Sequence, residues 1–175
     1  QAMHRVDEPA DYISWGMEKI SGLVMSHKGD YVCVGARPSA GKTALTLQWA
    51  WEQSESMRVG YFSLETDPDE VYDRLMALVA GVDSGRLRRK TVEALEIDRM
   101  IAAGPDFEGR KLDVIHAAGM TVADIRSMTV ARGYEIVYVD YLQIIRPERG
   151  WRGNRYEVVT SLSMDLHAMA KQLGV

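Results

Sequence analysis

Lys42, Thr43 and Asp140 are the residues whose types and settings best suit phosphate and divalent-metal chemistry. The run Gly41-Lys42-Thr43 follows an apolar stretch, Tyr31-Val32-Cys33-Val34, and precedes a helical pattern from Ala44 to Ala50. Strand, tight loop and helix form the context in which such a triplet works as a phosphate-binding P-loop. Free backbone N–H groups and the positive end of the helix dipole then face an anion. The candidate cradle comprises Arg37, Pro38, Ser39, Ala40, Gly41, Lys42, Thr43 and Ala44. In this pattern Lys42 reaches the β- and γ-phosphates of a polyphosphate and the Thr43 hydroxyl sits on Mg²⁺. One position departs from the pattern: Ala36 stands where the first glycine belongs, with Gly35 one residue early.

Hydrolysis requires a metal anchor and a group that orients water. Asp140 suits the first role, because the apolar run Ile136-Val137-Tyr138-Val139 delivers it to the carboxyl edge of a sheet. That edge is where open α/β sheets bind ligands. Glu65 ends another apolar run, Arg58 to Leu64, at the same edge. It is either a catalytic carboxylate that polarises water or a turn residue leading into the Asp67 cap, and position alone does not decide.

These residues need strands and helices in alternation. Strands are expected at 31–35, 58–64, 112–116 and 135–140. Helices are expected loosely within 14–28, then at about 43–55, after an Asp67-Pro68-Asp69-Glu70 capping box, at about 91–103 ending before Gly104-Pro105, after Thr121, and at about 155–173. Residues 84–90 read as a basic connection, and Cys33 as a small buried strand residue. Near-continuous apolar strands alternating with helices predict one α/β domain with a mostly parallel sheet and helices on both faces. Residues 1–13 read as a tag or linker lead-in, and 14–175 as the domain.

The bulk numbers agree. The 175 residues are 46% hydrophobic, enough for a core. A net charge of −4 argues against coating nucleic acid through bulk charge, though not against a local basic loop. The single cysteine excludes an intrachain disulfide, and the four histidines have no metal-ligand spacing. No run approaches the ~18 apolar residues of a membrane span, so a cytoplasmic protein without membrane contact is expected.

Four separated motifs then carry a family resemblance. They are Ala36-Arg37-Pro38-Ser39-Ala40-Gly41-Lys42-Thr43, Tyr61-Phe62-Ser63-Leu64-Glu65, Val139-Asp140-Tyr141-Leu142-Gln143, and Asn154-Arg155 with Glu157-Val158 opening a long amphipathic helix. Together they resemble the RecA-like motor domain of DnaB-family replicative DNA helicases, from about residue 14 to the end. Alanine before Arg-Pro-Ser is usual in that family, so Ala36 favours it over P-loop proteins at large. The resemblance implies a RecA-like P-loop NTPase core, with Lys42 and Thr43 as the Walker A pair, Asp140 as the Walker B aspartate and Glu65 as activator of the hydrolytic water. It implies no catalytic role for Gln143. It further implies ATP and Mg²⁺, single-stranded DNA, a homo-hexamer, and primase and a helicase loader as partners.

Arg146, Arg149, Arg152 and Arg155 recur every three residues around Trp151. They suit contact with a DNA backbone and stacking on a base, or else a solvated surface loop or subunit contact. The resemblance also implies a further strand after Val175, a γ-phosphate-sensing glutamine and an arginine finger. The chain is therefore expected to be an incomplete motor that binds nucleotide and hydrolyses it slowly. A RecA-superfamily recombination ATPase and a non-motor ATP-switch loader are the alternatives.

Overall fold

The computed structural model describes residues 12–147 and 154–175. Three parallel strands form a sheet in the order β2-β1-β3: β1 Val59–Ser63, β2 Leu112–His116 and β3 Ile136–Asp140. Val59 lies opposite Leu112 on one side and Ile136 on the other, and Ser63 opposite His116 and Asp140. The carboxyl ends of all three strands therefore finish level.

Every residue of β1 is buried, as a central parallel strand requires. Val59 and Tyr61 point toward α2 (Lys42–Gln53) and α3 (Pro68–Ala80), packing with Leu47 and Leu75. Phe62 and Leu64 join the opposite core with α6 (Val122–Arg132) and α7 (Arg155–Leu173), against Ile125 and Leu166. The period-two alternation of one strand thus supplies two cores. Gly60 has a packing reason, since a Cβ there would lie 2.6 Å from the Tyr134 ring.

Several expectations need correction. Residues 31–35 form no ladder. A cavity of about 330 Å³ lies between them and the outer edge of β3, so their apolar character yields no strand paired to the sheet. Cys33 is consequently exposed rather than buried. The loose helix within 14–28 reduces to α1 (Glu18–Ser21), because an Ile13–Ser26 bridge and the Trp15 indole N–H bond to the Val24 carbonyl fold this segment back on itself. Residues 84–90 contain a short helix, α4 (Ser84–Arg89), capped by Asp83, whose side chain accepts the Arg86 N–H at 2.7 Å.

The helix α5 (Ala94–Glu108) does not stop before Gly104-Pro105. Phe107 packs on Trp51 with ring centroids 4.5 Å apart, and this anchors the last turn beyond the proline. Asp67 caps α3, but its side chain accepts from Asp69 N–H, while Glu70 pairs with Arg74 instead of closing a capping box. The expected start after Thr121 forms a complete capping box, and Asn154, not expected as a cap, forms another.

Candidate nucleotide and metal site

The loop before α2 is built by unusual backbone. Ala40 N–H donates to the Arg37 carbonyl at 3.2 Å, closing a turn. Ser39 has φ 62° and Gly41 φ 91°, both left-handed. Gly41 is free of steric neighbours, so glycine is required there by conformation and not by space. Residues 36–41 are exposed. The first helical bond of α2 runs from Leu45 N–H to the Gly41 carbonyl, so the N–H groups of Lys42, Thr43 and Ala44 precede the ladder at the positive end of a twelve-residue helix. A concave backbone of this type attracts anions.

Asp140, at the end of β3, meets this helix start. Thr43 Oγ1 donates to Asp140 Oδ2 at 2.7 Å. Lys42 Nζ lies 3.7 Å from Asp140 Oδ1 and 4.6 Å from the centre of the Tyr141 ring. The Asp140–Tyr141 peptide is cis. Lys42 and Asp140 are only partly exposed, so the pair is screened less than a surface ion pair. Residues 97 positions apart are thereby joined through the β1–β3 pairing.

The donor chemistry fits magnesium. Two hard oxygens, one hydroxyl and one carboxylate, stand beside an anion-binding helix start, as expected for an ion that keeps most of its waters and shares the remainder with phosphates. Among the described residues no group of three or more histidine, cysteine, aspartate or glutamate side chains gathers to hold a metal by itself.

Glu65 is exposed just past the end of β1. Leu64 N–H donates to the Asp140 carbonyl at 2.8 Å, keeping this segment beside β3. Ser63 Oγ donates to the Thr66 carbonyl at 2.6 Å and bends the chain toward the Asp67 cap. Glu65 therefore stands on the same sheet edge as Asp140, within a tight turn. Arg146 and Arg155 are exposed: Arg146 lies beside the groove between α6 and α7, and Arg155 opens α7. Arg149 and Arg152 lie outside the described residues.

Two residues escape motif reading. Tyr61 Oη donates to Asp140 Oδ2 at 3.0 Å and lies 3.1 Å from Thr46 Oγ1. Burial, reinforced by the Asp140 charge, pushes the Tyr61 phenol well above its usual range, so it keeps its proton. Burial pushes Tyr138, stacked on Tyr61, in the same direction. The available signals were the alternation that puts Tyr61 on the same face as Val59 and Ser63, and the one-turn spacing of Thr46 from Thr43.

A parallel sheet, a left-handed glycine turn and a carboxylate aligned with the following helix define a RecA-like α/β P-loop domain. The chain belongs to the DnaB-like helicase C-terminal domain family, whose model matches residues 15–175. It is similar to the replicative DNA helicase DnaB of Rickettsia bellii, at 29% identity over 171 residues, covering 89% of this chain and 34% of that protein. It is also similar to a probable plasmid replicative DNA helicase of Chlamydia trachomatis, at 28% identity over 160 residues, covering 88% of this chain and 35% of the relative. The fold matches the solved structure of a DnaB-like replicative helicase studied with its interactions with primase. That match has a TM-score of 0.88 at 24% identity, over 99% of this chain and 43% of that one. Among the described residues no helix is long and apolar enough to cross a membrane.

Proposed function

We propose that this chain binds Mg²⁺-ATP and hydrolyses it as the motor domain of a replicative DNA helicase. The observation that carries the reading is the convergence of Lys42, Thr43 and Asp140 at the start of α2. The backbone of Arg37 to Ala44 cradles the phosphates, with Pro38 shaping the loop without contributing an N–H. Lys42 leaves Asp140 and Tyr141 to meet the β- and γ-phosphates. Thr43 and Asp140 hold Mg²⁺, which neutralises charge on the phosphate oxygens. Glu65, exposed on the same edge, orients and polarises the attacking water. The nucleotide-binding domain runs from about residue 14 onward, with 1–13 as lead-in.

Family membership supports the wider setting: a ring-shaped homo-hexamer on single-stranded DNA, with primase and a helicase loader as partners. Arg146 and Arg155, with Arg149 and Arg152 between them in sequence, are proposed to meet the DNA backbone. Lys42→Ala removes the phosphate-facing cation and is expected to abolish binding of a fluorescent ADP analogue. A wild-type titration curve from that variant would overturn the reading.

A further inference from the structure

The motifs account for Lys42, Thr43 and Asp140 but not for the phenol that touches the same carboxylate. Tyr61 is fully buried on the central strand, in register with Val114 and Tyr138. Its ring stacks on Tyr138 with centroids 5.7 Å apart, so neighbours hold it in place. The protons around its hydroxyl can be counted. A carboxylate only accepts, so both Thr43 and Tyr61 donate to Asp140 Oδ2. With its single proton spent, Tyr61 Oη is an acceptor for Thr46. The Thr46 proton is shared between Tyr61 Oη and the Thr43 carbonyl, each 3.1 Å away. Oδ2 thus carries two donors from inside the domain, and Oδ1 remains directed toward Lys42.

We propose that Tyr61, braced by Thr46, is a positioning residue that fixes the rotation of the Asp140 carboxylate and keeps Oδ1 presented to the metal–nucleotide complex. The inference rests on the reading of Thr43 and Asp140 as the Mg²⁺ site. The terminal torsion of an aspartate is broad, so a carboxylate held by one donor samples a wide arc. A second donor from a buried, stacked ring removes that freedom before the metal arrives. Tyr61 acts only through Asp140 and touches neither metal nor nucleotide. Partners that orient metal ligands typically change metal affinity by about 10–100-fold when removed.

The test titrates a fluorescent ADP analogue into the full 175-residue chain, in EDTA and across a Mg²⁺ series. Tyr61→Phe keeps the stacked ring and deletes the donor. Its Mg²⁺ midpoint is expected to rise about tenfold, at the low end of that range, with binding in EDTA and the circular dichroism spectrum unchanged. Thr46→Val keeps the Tyr61 donor, deletes the brace together with the bond to the Thr43 carbonyl, and is expected to raise the midpoint by a smaller factor. An unshifted midpoint in Tyr61→Phe overturns the proposal, as does an equal loss with and without Mg²⁺, which marks a packing role. Should Tyr61→Phe not fold, Thr46→Val decides, and an unshifted midpoint there overturns the proposal. A wild-type chain without Mg²⁺-dependent binding overturns the metal-site reading and this inference together, a failure visible before any variant is compared.

Discussion

Asp140 shows how one side chain acquires several duties from its neighbours. It ends β3, takes protons from Thr43 and Tyr61, and faces the Lys42 ammonium. Its residue type and apolar lead-in were legible in the sequence, as were the partners on α2. Tyr61 was not, because a tyrosine in a strand is ordinary core until its hydroxyl is placed. Gly60, beside it, illustrates the converse. Glycine weakens a strand, yet here only hydrogen fits under the Tyr134 ring, whose hydroxyl donates to Asp113 at 2.7 Å. Gly60→Ala is expected to destabilise the domain by about 1–3 kcal/mol through overpacking. Urea denaturation checks this, and a midpoint equal to wild type would show that the ring moves aside freely.

At the scale of elements, legibility followed how local the controlling interaction is. The capping boxes of α6 and α7 join residues three positions apart, so their side chains announce themselves. Asn154 accepts the Glu157 N–H at 3.0 Å, and Glu157 returns the bond to the Asn154 N–H at 2.9 Å. Asn154→Ala is expected to cost about 1 kcal/mol, and Asn154→Gly less. Thermal denaturation of the two variants ranks them, and equal melting temperatures would contradict the capping role. By contrast, α5 passes through Pro105 because Phe107 finds Trp51, a contact between residues 56 positions apart (107 against 51) that no local pattern contains. Helix α4 escaped notice because six residues are too few to show an apolar period.

At the scale of the molecule, single side chains tie distant segments together. Glu135, just before β3, accepts the Arg58 backbone N–H and pairs with Lys28, each at 3.0 Å. The Arg58 N–H, then Lys28, hold its carboxyl below the usual carboxylate range. A depressed folded value means that the unfolded chain binds the proton more readily. The resulting stability is fully present above the ordinary carboxylate range and is lost as pH falls through the depressed value. Both Lys28 and Glu135 are substantially exposed, so the effect is small and weakens with salt. Glu135→Gln is expected to lower the melting temperature slightly at neutral pH, with the gap from wild type closing below pH ~4. A gap that stays constant across this range would exclude the ionic contribution.

The sequence by itself determined three of the four expected strands, most of the helices between them, the Thr121 cap and the glycine turn before α2. Each of these depends on residue type and short spacing, which a linear chain displays directly. Tertiary structure alone decided three things. It set Asp140 against Thr43 through the parallel pairing of β3 with β1. It left the apolar run 31–35 unpaired across a cavity from the β3 edge. It turned Tyr61 from core filling into a donor on the Asp140 carboxylate. All three depend on which backbone lies beside which, and strand pairing joins residues whose separation along the chain carries no mark of it.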